Sequence, residues 1–202
     1  MNVAVLASGA GTNLQALIDH GHGRGGVQLV AVASDKPGAP ALHRARAAGI
    51  PTRTFAVNEF GDRAARDRAI AAWLHERGTE LVVLAGYMQL LSAEFLTAFP
   101  DRVINVHPSL LPAFPGLGAV QQALDYGVKV FGVTIFFVDG GVDTGPVILQ
   151  RAVELPGAPD PDEVLARLHE IEHQLLVEAV AMLADGAVSF DPANPRRVVI
   201  AR

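Results

Sequence analysis

Short apolar runs rich in β-branched residues alternate along the chain with longer stretches in which apolar residues recur every three or four positions. The short runs are typical of buried strands and the longer ones of amphipathic helices. Strands are predicted at Val3–Ala7, Val27–Ser34, Thr52–Ala56, Leu81–Ala85, Val103–Val106, Phe131–Val138 and Val147–Val153. Helices are predicted at Asn13–His20, Ala41–Ala48, Arg63–Arg77, Ala93–Phe99, Val120–Tyr126 and Asp162–Asp185.

This alternation is typical of βαβ units. We therefore expect an α/β fold: one Rossmann-like domain over residues 1–202, with a mostly parallel central sheet that is flanked by helices on both faces. In such sheets, ligands bind beyond the carboxyl ends of the strands, so the residues that follow strands are the first candidates for function.

Composition narrows the class of protein. Half of the 202 residues are hydrophobic, which is enough for one buried core, and the formal net charge is -5 without any block of Lys and Arg. Nucleic acid is therefore not an expected partner. The chain has no cysteine, which excludes disulfides, thiolate nucleophiles and cysteine zinc sites. The apolar N-terminus has no basic segment before it, and the run Leu81–Leu91 is too short to span a bilayer. We expect a cytoplasmic protein with no membrane partner.

The loop after the first strand, "SGAGTN", combines two glycines with polar residues that can cap a helix. Gly9 and Gly11 permit a tight turn with exposed backbone N–H groups, and Thr12 and Asn13 are the candidate caps. Such a loop presents hydrogen-bond donors and a helix dipole to an anion, typically a phosphate. An ordinary strand-to-helix turn is the structural alternative.

Dinucleotide binding is a weaker interpretation of the same loop. The fingerprint G-x-G-x-x-G lacks its third glycine here, because Leu14 occupies that position. Asp35, beyond the second strand, could imitate the acidic residue that binds a ribose, but "SDKPG" is equally a turn.

The segment "HEIEH", from His169 to His173, formally matches a zinc-protease motif. At about 100° per residue, its helix has one apolar arc and the two histidines lie at the edge of that arc, facing solvent. The arc contains Val164, Leu165, Leu168, Ile171, Leu175, Leu176, Ala179 and Leu183. We therefore predict no metal site. Glu172 points near the middle of the arc, where it either forms a structural salt bridge or lines a polar ligand site.

The fifth predicted strand ends in polar residues that a buried strand does not need. Asn105 and His107 point to the same side because strand side chains alternate, and Pro108 ends the strand after them. Asparagine can donate to a developing oxyanion, and histidine can donate, accept or shuttle a proton near neutral pH. A carboxylate to orient the imidazole is available in "VDGGVDTGPVI", which supplies Asp139 and Asp143 between the next two strands.

These residues resemble a known family. "NVHPSLLPAFPG" is similar to the N-x-H-P-S-L-L-P signature of the folate-dependent formyltransferases, and "DTGPVI" follows it at the expected distance. The opening "VLASGAGTNLQALID", the segment "VVLAGYMQLLS" and the late "EIEH" extend the resemblance over nearly the whole chain. It implies transfer of a formyl group from 10-formyltetrahydrofolate to the primary amine of glycinamide ribonucleotide, a step of purine biosynthesis.

The resemblance also implies roles for individual residues. Asn105, His107 and Asp143 are the implied catalytic residues. The implied nucleotide site consists of Gly11, Thr12 and Asn13 at the phosphate and Glu172 at the ribose. The implied folate site consists of Arg63, Tyr87, Met88, Gln89, Leu90, Leu91, Val138, Asp139, Gly140, Gly141 and Val142. Beyond these small molecules no metal or redox cofactor is implied, and a homodimer is one option for the oligomeric state.

This chain departs from the family pattern at three places near the signature. Gly118 and Phe136 stand where many members have a histidine, and Ala113 stands where a basic residue often precedes the aromatic residue of the loop. His107 is therefore the only imidazole of the motif region.

Related enzymes remain as alternatives. Methionyl-tRNA formyltransferases have an additional basic RNA-binding domain, and formyltetrahydrofolate deformylases usually have an N-terminal regulatory domain. A sugar-nucleotide formyltransferase is the nearest remaining enzyme, disfavoured by the phosphate loop. A nucleotide-binding module without activity is disfavoured by Asn105, His107 and Asp143 together, because packing of a sheet requires none of them.

Overall fold

The computed structural model describes residues 1–157 and 160–201. Its strands are β1 (Asn2–Leu6), β2 (Gln28–Ser34), β3 (Thr52–Thr54), β4 (Leu81–Leu84), β5 (Val103–His107), β6 (Val130–Phe137), β7 (Val147–Glu154), β8 (Val188–Asp191) and β9 (Asn194–Ile200). Its α-helices are α1 (Thr12–His20), α2 (Pro40–Ala47), α3 (Arg63–Glu76), α4 (Ala93–Ala98), α5 (Ala119–Tyr126) and α6 (Pro161–Ala184).

All seven predicted strands and all six predicted helices are present, with ends that differ by one or two residues. A short 3₁₀ turn at Val57–Glu59 and the hairpin β8–β9 were not predicted. The hairpin strands are mostly exposed or half-buried, so they lack the continuous apolar pattern that marked the other strands. Pro195 within β9 also argues locally against a strand.

Local side chains explain where several helices begin. The Asp62 carboxylate accepts a hydrogen bond from the Ala65 N–H at 2.7 Å and caps α3. Ser92 caps α4 in the same way, and Asp160 precedes α6, whose first residue is Pro161. These are the residue types that helix N-termini favour, because they satisfy unpaired N–H groups or lack one.

Strands β1–β7 form one sheet in the order β3-β2-β1-β4-β5-β6-β7. Strand β1 pairs in parallel with β2 and β4, so that Val5 is opposite both Val32 and Val83. Strands β6 and β7 pair antiparallel. The predicted α/β class, with a mostly parallel central sheet flanked by helices, is confirmed.

The chain divides within β5 into two compact units, Met1–Ile104 and Asn105–Arg202. A single domain over residues 1–202 therefore stays a prediction. The core of the first unit contains the buried β1 and the aromatic pair Phe55 and Trp73, whose ring centroids are 5.8 Å apart.

None of the helices in the described part of the chain is long and apolar enough to cross a membrane.

In the second unit, helix α6 packs on β6, β7 and α5. Most of its predicted apolar arc is buried, including Val164, Leu168 and Leu175. Leu165 is an exception: the arc included it, but the structure leaves it exposed. Val180, which the prediction omitted, is buried instead. The buried face of α6 therefore differs slightly from the predicted one.

Candidate active site

The loop that follows β5 is fastened by side chains of β6 and β7. The Thr134 hydroxyl donates to the Ser109 carbonyl at 2.7 Å and accepts from the Leu111 N–H at 3.1 Å. Gln150 donates to the Leu111 carbonyl at 2.9 Å. Both residues lie in strands, and Thr134 is completely buried. The loop beyond the polar end of β5 is therefore held in one position by strand residues.

His107 is buried, and both of its ring nitrogens face acceptors. Nε2 lies 2.8 Å from the carbonyl oxygen of Phe114, and Nδ1 lies 3.3 Å from Oδ2 of Asp143. A carbonyl oxygen only accepts, so Nε2 carries a hydrogen and donates it. Only the doubly protonated imidazolium can donate to the carbonyl and the carboxylate together. Nδ1 and the carboxylate are thus placed to form an ion pair whenever the ring is doubly protonated.

Asp143 adopts a left-handed backbone conformation, with φ of 53°. Its Oδ2 atom also accepts a hydrogen bond from the Gly116 N–H at 2.7 Å. Aspartate is among the few residues that tolerate positive φ. In this conformation the carboxylate faces His107, and the bond to Gly116 joins the loop after β6 to the loop after β5.

Asp139 faces its own loop instead. Its Oδ1 atom accepts from the Gly141 N–H at 3.0 Å and from the Thr144 hydroxyl at 2.6 Å. The two aspartates thus differ in what they contact: Asp139 shapes the turn, and Asp143 faces the imidazole.

Asn105 lies on the same strand as His107, two residues earlier, and is half-buried.

The loop after β1 differs from the prediction in how it caps α1. Gly11, not Thr12 or Asn13, is the cap residue, and no side chain makes a capping hydrogen bond. Gly11 has φ of 72°, and a Cβ atom there would lie 2.7 Å from Cα and Cβ of Ala41. Tight packing against α2 therefore requires this glycine, whatever the loop binds. Arg44 of α2 also donates to the Ala10 carbonyl at 2.9 Å.

The segment Tyr87–Leu91 follows β4 and contains both buried and exposed side chains. Tyr87 is buried, and its hydroxyl has no hydrogen-bond partner among the described residues. Burial is the main cause that raises the pKa of Tyr87 far above its ordinary value. Met88 and Leu90 are exposed by more than half.

Gln89 connects two buried charged residues of the same unit. It donates to Oδ2 of Asp35 and accepts from Arg66, both at 3.1 Å. Arg66 in turn contacts Asp67 at 3.0 Å. Asp35 therefore belongs to an internal polar network, which weakens its comparison with a ribose-binding acid. Arg63 is the first residue of α3 and is exposed.

On α6, Glu172 is buried, as its position in the apolar arc predicted. The rings of His169 and His173 are nearly parallel, with centroids 6.4 Å apart. His169 is exposed, but His173 is half-buried, and its Nε2 atom is shielded from solvent. The prediction that both histidines face solvent is therefore wrong for His173. In the parts of the chain that the structure describes, no group of three or more His, Asp or Glu residues could hold a metal ion.

The model of the formyl transferase family matches residues 1–180. The chain belongs to the formyl transferase family. Among curated relatives, phosphoribosylglycinamide formyltransferase of Bacillus subtilis is 39% identical over 181 residues, which is 89% of this chain and 93% of that protein. The trifunctional purine biosynthetic protein adenosine-3 of Drosophila melanogaster is 43% identical over 94% of this chain, which spans only 14% of that protein's length.

Solved structures in the formyl transferase family are similar over the whole chain. Glycinamide ribonucleotide transformylase 1 from Symbiobacterium toebii has a TM-score of 0.95 and 44% identity, and the match covers 100% of this chain and 94% of that one. Phosphoribosylglycinamide formyltransferase from Anaplasma phagocytophilum has a TM-score of 0.92 and 32% identity, over 100% of this chain and 95% of that one. The family resemblance predicted from the sequence motifs is confirmed.

Several residues that shape this candidate site were not indicated by the sequence. The carbonyl of Phe114 is a partner of His107 that no side-chain pattern can indicate. Thr134 and Gln150 looked like ordinary strand residues, although a fully buried threonine is a weak signal for a polar partner. Arg196 in β9 donates to the Thr144 carbonyl at 2.6 Å.

Proposed function

We propose that this protein is a phosphoribosylglycinamide formyltransferase, which transfers the formyl group of 10-formyltetrahydrofolate to the primary amine of glycinamide ribonucleotide. The products are formylglycinamide ribonucleotide and tetrahydrofolate. Two relatives of nearly the same length, from Bacillus subtilis and Escherichia coli, bear this name at 39% and 41% identity. The contact of 3.3 Å between His107 and Asp143 carries the proposal, because it joins an imidazole to a carboxylate at the end of the signature strand.

Formyl transfer passes through a tetrahedral intermediate. The amine nitrogen attacks the formyl carbon, and its carbonyl oxygen becomes an oxyanion. The Asn105 amide and the His107 imidazolium are suitable donors to that oxyanion. The separation of 3.3 Å between Nδ1 of His107 and Asp143 is longer than the ~2.7–2.9 Å of a strong charge-assisted bond. The Nδ1–H group can therefore be shared between the carboxylate and the oxyanion.

Asp143 has two roles in this mechanism. Its carboxylate lies 3.3 Å from Nδ1 of His107 and fixes the direction of the ring. It also accepts the proton that the amine loses, directly or through a water molecule. When the intermediate collapses, the bond from the formyl carbon to the folate nitrogen breaks, and that nitrogen takes up the proton. No step requires a metal or a redox cofactor.

Residues for the two substrates follow the family resemblance. For the nucleotide, Gly11, Thr12 and Asn13 bind the phosphate at the start of α1, and Glu172 binds the ribose hydroxyls. Backbone N–H groups at a helix start suit a phosphate, and a buried carboxylate suits hydroxyl donors.

The folate residues lie in the segments that follow β4 and β6, together with Arg63. Met88, Leu90 and Val142 are exposed apolar side chains in these segments. Apolar side chains without cover are suited to an aromatic ligand. Both substrates are small molecules. A homodimer and a cytoplasmic location remain part of the proposal.

One assay tests the proposed function. The protein is mixed with 10-formyltetrahydrofolate and glycinamide ribonucleotide, each alone and then together, and folate absorbance is followed. We expect tetrahydrofolate to form only when both substrates are present. Its formation from the folate alone would indicate a deformylase. Its formation only with an amino-sugar nucleotide would indicate a sugar-nucleotide formyltransferase. Absence of any change would contradict the proposal.

A further inference from the structure

The C-terminal hairpin contacts the loop that carries Asp143 and the strand residue that precedes it. Nη2 of Arg196, in β9, donates to the backbone carbonyl of Thr144 at 2.6 Å. Phe190, in β8, packs on Phe137 with ring centroids 4.8 Å apart. Phe137 is the last residue of β6 and precedes the loop, whereas Thr144 directly follows Asp143. The hairpin thus touches the loop just before it begins and just after its aspartate.

The loop needs such support because of its backbone conformation. Asp143 has φ of 53°, a conformation that costs a non-glycine residue free energy and persists only where surrounding contacts determine it. The loop closes on itself through the bond from the Phe137 N–H to the Pro146 carbonyl, at 2.9 Å. Asp139 restrains the Thr144 hydroxyl. The carbonyl of Thr144, one peptide beyond Asp143, is restrained by Arg196.

The hairpin is built to hold Arg196 in place. Its strands pair from Val188 opposite Ile200 to Asp191 opposite Asn194. Arg197 forms an ion pair with Asp191 at 3.4 Å within the hairpin. The N–H of Ala201 donates to the Ala187 carbonyl and closes the open end. The hairpin also packs on β7 through β9. Arg196 is therefore presented by a self-paired element and not by a free chain end.

We propose that Arg196 is a positioning residue for the His107–Asp143 pair and that the hairpin β8–β9 braces the loop of Asp143. The guanidinium fixes the carbonyl of the peptide between Thr144 and Gly145. This restrains the backbone next to Asp143 and so keeps the carboxylate directed at Nδ1 of His107. The hairpin lies beyond the part of the chain that the family model matches, residues 1–180. The expected effect on catalysis rests on the proposed function. The contacts between the hairpin and the loop rest only on the geometry of the second unit.

Steady-state kinetics of three variants test the brace. Arg196→Ala should lower turnover by roughly 3- to 10-fold, which is comparable to the net contribution of one typical hydrogen bond. Michaelis constants for both substrates and the melting temperature should stay close to those of the wild type. Arg196→Lys should recover part of the loss, since an ammonium can still donate to the carbonyl. Arg167→Ala, which removes an exposed arginine of α6 whose partner is Glu170, is the matched control and should leave turnover unchanged. Equal turnover in Arg196→Ala and the wild type would overturn the inference.

A double-mutant cycle separates positioning from general stabilisation. In an Asp143→Asn background, Arg196→Ala should cause no further loss of turnover, because the group that it positions has already been removed. Losses that multiply would show that Arg196 acts independently of Asp143 and would contradict the brace.

A measurement without catalysis distinguishes failure of the brace from failure of the proposed function. If the wild type does not transfer formyl groups to glycinamide ribonucleotide, the proposed function fails. The ¹⁵N chemical shifts of the His107 ring then decide the brace. They should change in Arg196→Ala and stay unchanged in Arg167→Ala. Ring shifts that are identical in the wild type and Arg196→Ala would contradict the proposal that Arg196 positions the His107–Asp143 pair.

Discussion

One oxygen of Asp143, Oδ2, lies 3.3 Å from Nδ1 of His107 and at the same time accepts a hydrogen bond from the Gly116 N–H at 2.7 Å. His107 ends β5, Gly116 belongs to the loop that follows it, and Asp143 lies in the loop after β6. A single carboxylate oxygen thus couples the imidazole to the loop that covers it. Replacement of Asp143 by the isosteric asparagine therefore changes the environment of the ring without emptying space around it.

Asp143→Asn should therefore reduce turnover with little effect on folding. The amide keeps the shape of the side chain, but it carries no negative charge opposite the imidazole and cannot take a proton from the amine. General acid–base groups contribute about 10²–10⁴ in rate, and we expect a loss in this range with both Michaelis constants kept.

Asp139→Asn is the matched control for this substitution. The amide oxygen can still accept from the Gly141 N–H and the Thr144 hydroxyl, so its effect should be mild. Similar losses in the two variants, measured under the same saturating conditions, would mean that the catalytic carboxylate has been assigned wrongly.

Asn105→Ala should lower turnover by about 10²–10³, because it removes one donor to the oxyanion. Asn105 is half-buried near the end of β5, and the truncated side chain should leave the fold intact. Rapid-quench measurement of the chemical step, with folate binding measured in parallel, checks this prediction. A chemical step within a few-fold of the wild type would exclude Asn105 from the catalytic residues.

Thr12→Asp tests phosphate binding by the loop after β1. Gly11 is unsuitable for this purpose, because any side chain there meets Ala41. Thr12 is half-buried and is the first residue of α1, where an acidic side chain stabilises a helix by about 0.3–1 kcal/mol. The same negative charge should repel a phosphate and raise the Michaelis constant for glycinamide ribonucleotide roughly tenfold or more.

Thr12→Val is the uncharged control for that variant, and folate binding should change in neither. In Thr12→Asp, a melting temperature that is kept or raised would report stabilisation of the helix by the charge. Weaker nucleotide binding in the same variant would report repulsion of the phosphate. Unchanged nucleotide binding in Thr12→Asp would show that the loop is an ordinary turn.

His173 should make the protein less stable at mildly acidic pH. Burial, with a smaller contribution from the neighbouring His169, lowers the pKa of His173 in the folded protein. The unfolded chain, whose histidines have pKa values of about 6.5, therefore binds this proton more readily. The stabilising contribution is present above pH of about 6.5 and is lost as the pH falls from there towards the lower folded value.

Urea unfolding between pH 8 and pH 5 measures how the free energy of unfolding depends on pH. The slope of this dependence should be smaller in His173→Gln than in the wild type. His43→Gln, at an exposed position of α2, should leave the slope of the wild type unchanged. An unaltered slope in His173→Gln would mean that another group is responsible for the acid sensitivity.

Chelation tests the prediction that "HEIEH" holds no metal. Dialysis against a strong chelator should leave formyl transfer unchanged, because no step of the proposed mechanism requires a metal ion. Stoichiometric zinc in the purified protein, with activity that is lost on chelation and restored by zinc, would contradict the prediction.

Local patterns in the sequence were sufficient to predict the elements of the sheet and the family. Runs of β-branched residues, helical periodicity and glycines or prolines at the boundaries act within a few residues, so seven strands and six helices could be predicted with small errors at their ends. The signature from Asn105 to Gly116 also indicated the polar end of β5, because alternation along a strand places Asn105 and His107 on one side without further information.

Contacts between residues that are distant along the chain became visible only in the folded protein. Examples are the Phe114 carbonyl at His107, the packing of Gly11 on Ala41, and Arg196 at the carbonyl of Thr144. Each depends on a backbone atom or on close approach of two elements, and neither leaves a periodic pattern in the sequence. The same reason explains the exposure of Leu165 and the shielded Nε2 of His173: helical periodicity predicts an apolar face, but the elements packed against α6 determine where that face ends.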